Sequence, residues 1–151
     1  MANITICGSI AFFKEMQKTK EQLESMGHTV KIPPSQVKGK DGNLISVAEF
    51  YQIRKSSEAQ GENTDWIWQL KTEAMRAHFE KIVSSDTILV LNIEKNNING
   101  YVGSNTFLEA GLAFHLNKKI YLLNQIPEQQ CREEILGMHP IVINGDLSKI
   151  N

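Results

Sequence analysis

Apolar residues in this chain gather in a few short unbroken runs, and between the runs they recur every three or four positions. Residues 87–93, TILVLNI, are too few for an ordinary helix and rich in β-branched and aliphatic side chains, which suits a strand buried on both faces of a parallel sheet. Residues 4–7, 29–32, 120–123 and 141–143 give four more short strands. Between them the period changes to that of a helix. Phe12, Phe13, Met16, Leu23 and Met26 form one apolar stripe, with Gly27 placed as a left-handed cap. Trp66, Ile67, Leu70, Ala74, Met75, Phe79, Ile82 and Val83 form a second, longer one that starts near Thr64 or Asp65. Phe107, Leu108, Gly111, Leu112 and Phe114 form a third, with Lys118 and Lys119 where cations suit the helix dipole. Residues 125–138 read as a loop and a short helix.

Strands alternating with helices predict an α/β fold: a doubly wound, mostly parallel five-stranded sheet with helices on both faces, Rossmann-like in the broad sense, with flavodoxin-like strand order. Crossovers in such a sheet are right-handed, and a ligand belongs at the carboxyl ends of the strands, here over the loop 94–104. One domain is expected over residues 1–151, interrupted by a polar excursion at 35–63 after the stop at Pro33-Pro34. Within it Ser46 and Glu49 make a capping box, so a helix is expected from Val47 to Lys55. Lys38, Lys40, Arg54 and Lys55 make the excursion locally basic.

Charge and composition then narrow the classes of partner. With 41% hydrophobic residues and a net charge of -1, the chain carries no electrostatic footprint of a polymeric nucleic-acid binder. No apolar run approaches the ~20 residues of a membrane-spanning helix, so no membrane is expected as partner. Cys7 and Cys131 lack CxxC spacing, and the first residues lack the basic and apolar regions of a signal peptide, so a cytoplasmic location is expected. His28, His78, His115 and His139 lack ligand spacing with cysteine or carboxylate, and no metal is expected. Neither GxGxxG nor a Walker lysine is present, and no cofactor is expected.

Three positions carry candidate chemistry. Gly8-Ser9 joins a strand directly to a helix, which can hold a phosphate or carboxylate on backbone amides, or can be a tight turn with Ser9 as N-cap. His78 lies beside an apolar stripe, where a packed core histidine and a catalytic one are both possible. Glu109 closes a Thr106-Phe107-Leu108-Glu109 capping box, yet follows the bare backbone of Gly100 to Asn105 at the expected ligand edge. There it can be a nucleophile or a ribose-binding group.

Cys7-Gly8-Ser9-Ile10, Ser85-Asp86 before an apolar strand, Gly103-Ser104-Asn105-Thr106-Phe107-Leu108-Glu109-Ala110-Gly111-Leu112-Ala113 and Lys118-Lys119-Ile120 resemble nucleoside 2-deoxyribosyltransferases and 2'-deoxynucleoside 5'-phosphate N-hydrolases. The resemblance covers most of the chain outside 35–63. It implies that Glu109 attacks the anomeric carbon of a small nucleoside or nucleotide, displaces the base, and forms a covalent glycosyl-enzyme that water or a second base resolves. It further implies that Gly8 and Ser9 hold the sugar or 5'-phosphate, that Ile10, Asp86, Asn92, Tyr101, Gly103, Ser104 and Asn105 belong to the substrate site, and that the protein is a homo-oligomer. The family aspartate of the sugar or base site is His78 here, its supporting tyrosine is Thr5, and the phosphate-holding arginine of the hydrolases is Ala11. His78 is thereby a second catalytic candidate. The alternative is a non-catalytic module of the same fold that senses a nucleotide. A phosphoribohydrolase loop, Gly-Gly-x-Gly-Thr-x-x-Glu, is half matched by Gly103 to Thr106.

Overall fold

Five strands, Thr29–Lys31, Asn3–Cys7, Thr87–Val90, Lys119–Leu122 and Ile141–Val142, join side by side in that order, every neighbouring pair parallel. This computed structural model describes residues 1–151 apart from the side chain of Ser57. In chain order the elements are β1 (Asn3–Cys7), α1 (Phe13–Ser25), β2 (Thr29–Lys31), β3 (Gln36–Lys38), β4 (Leu44–Ser46), α2 (Val47–Lys55), α3 (Asp65–Val83), β5 (Thr87–Val90), α4 (Ser104–His115), β6 (Lys119–Leu122), α5 (Arg132–Gly137) and β7 (Ile141–Val142). The chain forms two compact units: Met1–Ile32 with Phe79–Asn151, and Pro33–His78.

In the first unit the sheet is covered on both faces, which is why its strands read as continuous apolar runs. Alternation along β1 sends Ile4 and Ile6 to one side, where they pack with Met16 and Leu23 of α1, Leu89, Tyr121 and Ile143. Cys7, Ile88, Val90, Ile120 and Leu122 face the other way, against Ala110 and Ala113 of α4 and Ile135 of α5. The strand order and the helices on both faces match the expected doubly wound sheet. Gly27, at φ 92, ends α1 as expected. The amides of Gly27 and His28 bond the carbonyls of Glu24 and Leu23 at 3.0 and 3.1 Å, a Schellman closure. Asn117, at φ 55, closes α4 in the same way.

The packing faces differ from the expected stripes in three places. Leu108 and Phe114 of α4 are exposed, and the helix instead buries Thr106, Glu109, Ala110 and Ala113. Small side chains let it approach the sheet closely. Met26 and Val83 are exposed as well, because each sits at the end of its helix, where the turn carries the residue off the packed face.

Beyond Val90 the polypeptide leaves the ladder, and a single side chain fixes where it goes. Asn92 is fully buried, and its Nδ2 donates to the carbonyls of Asn124 and Gln125, each at 3.0 Å. Its Oδ1 accepts the Asn124 amide at 2.9 Å, and Asn124 Nδ2 returns a bond to the Asn92 carbonyl at 3.0 Å. Farther along, Gln129 pairs with the backbone of Val102 through both ends of its carboxamide, at 2.8 and 3.1 Å. Gly100 has φ +72, and a Cβ there would run into the Gln125 carbonyl oxygen, so only glycine fits.

The second unit, within the polar excursion, holds α2 over the expected residues, with Ser46 Oγ accepting the Glu49 amide at 3.0 Å. It also holds an antiparallel hairpin, β3 with β4, where only loop was expected. The signal was present in short form: Asp41-Gly42 between two three-residue alternations, with Gly42 at φ 76 in the turn. Arg54 stacks over the Phe50 ring at 4.3 Å. Among the described residues, no helix is long and apolar enough to cross a membrane.

Replacing Asn92 by alanine leaves a buried amide and two carbonyls without their partner, and unfolding free energy should fall by about 2–4 kcal/mol in chemical denaturation. A loss within error of zero would show that the clasp carries no stability.

Candidate active site

The carboxyl end of β1 is Cys7, and the next residues, Gly8-Ser9, turn the chain away at the edge where α4 begins. Gly8 is closely surrounded: a Cβ would lie 3.0 Å from the end of Met16 and 3.4 Å from Leu91. Ser9 is an N-cap, as one reading of the sequence had it, but for a single 3-10 turn over Ile10–Phe12 ahead of α1. Its Oγ accepts the Ala11 amide at 3.3 Å. The same hydroxyl receives Lys95 Nζ at 2.9 Å, and Lys95 lies 5.4 Å from the centroid of the Tyr101 ring, a cation-π distance. A tight turn sets Lys95 there. Asn96 and Asn97 both take positive φ, and Lys95 and Ile98 exchange backbone bonds at 3.2 and 2.9 Å.

Tyr101 in turn lies against Gly103, where a Cβ would meet its ring at 3.4 Å. Gly103 is the N-cap of α4 and offers no side-chain bond. The Thr106-Glu109 capping box is therefore absent. Thr106 lies inside the helix, which starts three residues earlier than that pattern requires. The carboxylate does something else. Glu109 is buried, with 3% of its surface exposed, and Oε1 accepts Asn105 Nδ2 at 2.7 Å across one helical turn. Cys7 Sγ lies within 4.8 Å of a Glu109 carboxylate oxygen.

A carboxylate taken from water must be compensated by hydrogen bonds. Asn105 supplies one, and the Cys7 thiol faces the same group. Burial pushes the Cys7 thiol well above its usual range, and Glu109 adds to this by its charge and by a hydrogen bond. At neutral pH Cys7 is therefore a protonated donor and not a nucleophilic thiolate. Two strand positions back, Thr5 is buried and contacts Ser85 Oγ at 2.7 Å and the Lys81 carbonyl at 3.0 Å.

Two sets of contacts result, Glu109 with Asn105 and Ser9 with Lys95, Tyr101 and Gly103, with Gly8 and Ile10 flanking Ser9 in the chain and Ser104 as the first residue of α4. Two candidates lie elsewhere in the first unit. Asp86 precedes β5, so it sits at the amino end of the strands, where it accepts the Asn3 amide at 2.8 Å. Asn92 spends its carboxamide on the clasp between strand ends. His78 is buried on α3, as the last residue of the second unit. Sequence reasoning missed Lys95 and the role of Cys7. For Cys7 the signal was its place as the last strand residue before Gly-Ser. Lys95, 86 residues from Ser9, had no local signal.

Among solved structures, the chain is similar to a 2-deoxyribosyltransferase from the psychrotolerant bacterium Bacillus psychrosaccharolyticus, at 20% identity and a TM-score of 0.49, covering 80% of this chain and 71% of that one. It is also similar to the Clostridium botulinum CMP N-glycosidase BcmB, at 17% identity and a TM-score of 0.47, covering 94% of this chain and 89% of that one. No protein-family model and no curated protein matches it.

The raised Cys7 pKa makes a statement about stability. Folding binds this proton more tightly than the unfolded chain does, so the stabilisation is complete below the unfolded thiol's value of 9.0 and is lost as pH rises above it. Wild type should lose more melting temperature than Cys7→Ala between neutral and strongly alkaline pH. Parallel curves for the two proteins would contradict the assignment.

Proposed function

We propose that this protein cleaves or exchanges the N-glycosidic bond of a small nucleoside or nucleoside 5'-monophosphate, with Glu109 as the nucleophile. The observation that carries the reading is the buried Glu109 carboxylate, oriented by Asn105 at 2.7 Å beside the carboxyl end of β1. A fixed, largely desolvated carboxylate is suited to attack on an electron-poor carbon, because little solvent has to be stripped from it during the reaction. In the first step a Glu109 oxygen bonds to the anomeric carbon while the carbon-nitrogen bond breaks. The base leaves with the electron pair of that bond and takes up a proton. In the second step water or another base attacks the same carbon and returns the carboxylate.

The neighbouring groups divide the remaining work. Asn105 and the Cys7 thiol keep the carboxylate aimed. Ser9, Lys95 and Tyr101 offer a hydroxyl, an ammonium and an aromatic face to the sugar and its substituents. Asn92 acts indirectly, by fixing the loop that carries Lys95 and Tyr101. A sensing role without turnover uses the same groups and differs only in outcome.

Chromatography of free base, after incubating the protein with nucleosides, deoxynucleosides and their 5'-monophosphates, with and without an acceptor base, should show release or exchange. Glu109→Ala should lower it by roughly a thousandfold or more, with Glu109→Gln as the near-isosteric control. No turnover by a folded wild type, whose melting temperature still rises with one nucleotide, would replace the enzyme reading by the sensing one.

A further inference from the structure

The tripeptide Ile-Asn-Gly occurs at Ile98-Asn99-Gly100 and again at Ile143-Asn144-Gly145. Asparagine followed by glycine is prone to lose its side-chain nitrogen, because the next backbone nitrogen can reach the carboxamide carbon and glycine has no Cβ to block the approach. Both asparagines are exposed. By local sequence the two sites are equivalent, and what separates them is the fold.

At the second site both reacting groups are held. The Gly145 amide, whose nitrogen would attack, donates to the Leu123 carbonyl at 2.8 Å. The Asn144 carboxamide, which would be attacked, accepts Gln125 Nε2 through Oδ1 at 2.7 Å. The flanking peptides are bonded too: the Ile143 amide to the Leu122 carbonyl at 2.9 Å, and the Asp146 amide to the Ile143 carbonyl at 3.1 Å. Ring closure at Asn144 therefore has to break two hydrogen bonds of the reacting groups themselves.

At the first site the restraints stop short of the reacting pair. Ile98 and Lys95 close their turn with bonds at 2.9 and 3.2 Å, and the next tie along the chain is the Val102 amide on Gln129 at 2.8 Å. Between these ties neither the Gly100 amide nor the Asn99 carboxamide bonds a described residue. Gly100, at φ +72, also has backbone angles open to it for ring closure that other residues lack.

We infer that Asn99 is a site of spontaneous deamidation in the folded protein, and that its hydrogen bonds protect Asn144 in the same tripeptide. The Gly100 nitrogen, having given its proton to hydroxide, bonds to Asn99 Cγ. The bond from Cγ to Nδ2 breaks, and Nδ2 leaves as ammonia. Water then opens the succinimide at either carbonyl, giving aspartate or isoaspartate. Both products put a carboxylate into the loop between Lys95 and Tyr101, and isoaspartate adds a methylene to its main chain. Gly100 has little room to absorb that length, since even a Cβ there would run into the Gln125 carbonyl oxygen. The inference is independent of the N-glycosidic reading.

The test is peptide mapping by mass spectrometry of the full chain held in warm, mildly alkaline buffer, with and without denaturant. It reads the mass gained when a carboxamide becomes a carboxylate. In denaturant the two sites should convert at similar rates. In the folded protein Asn99 should convert about tenfold faster than Asn144, the margin set by opening two hydrogen bonds. Folded Asn99→Gln should accumulate acidic species on ion exchange more slowly than wild type. Equal folded rates at the two sites, or a folded preference no larger than the denatured one, overturn the inference. An Asn99 that stays intact in the folded protein while both sites convert in denaturant overturns it as well.

Discussion

Parallel strands buried on both faces have to end somewhere, and their last backbone groups need partners once the ladder stops. Here Asn92 meets that demand for two strands at once. Its carboxamide takes the place of the next rung between β5 and β6, bonding the Asn124 amide and the carbonyls of Asn124 and Gln125. The loop after it inherits a fixed start, and Gln129 fixes its far end through Val102. Lys95 and Tyr101 project from a segment tied at both ends. Their positions toward Ser9 and Gly103 follow from that restraint more than from any contact of their own.

Glu109 depends on a different compromise. The helix that carries it packs on the sheet through alanines and a threonine, and so brings a carboxylate close to the end of β1 where a leucine would hold it away. Burial of the acid is unfavourable by itself. Asn105 and Cys7 offset it, and Cys7 does so because the same burial keeps its proton on.

Strand order, the α2 helix and the glycine cap after α1 could be read from the sequence because each depends on neighbours in the chain: apolar runs, Ser46 with Glu49, Gly27 after a periodic stripe. The start of α4 was misread because a capping box and an interior threonine look alike until the helix entry is fixed, and Gly103 fixes it with no side chain to announce the fact. The apolar stripe of α4 was right in part. Phe107 and Leu112 pack against the sheet, whereas Leu108 and Phe114 are exposed and Ala110 and Ala113 take the buried face. Glu109, Ser9 and Tyr101 stand out in the sequence as polar or aromatic residues beside glycine turns. Lys95 meets Ser9 only through the fold, and nothing local in the sequence announces that the Asn92 carboxamide bonds the backbone of Asn124 and Gln125.

The position of β1 in the sheet has a consequence for how the chain is made. Its register places Ile4 opposite Thr87, a separation of 83 residues (87 − 4), while its other edge pairs with β2, which follows closely in sequence. In a chain emerging from the ribosome amino end first, the edge of β1 that β5 covers has no partner until β5 is translated. That edge carries Ile4 and Ile6, and an apolar strand without its neighbour is a template for pairing with another chain. Every residue between β2 and β5 lengthens this interval in time, although loop closure over the longer span costs little in free energy. The excursion is thermodynamically cheap for the finished protein, and its cost falls during synthesis.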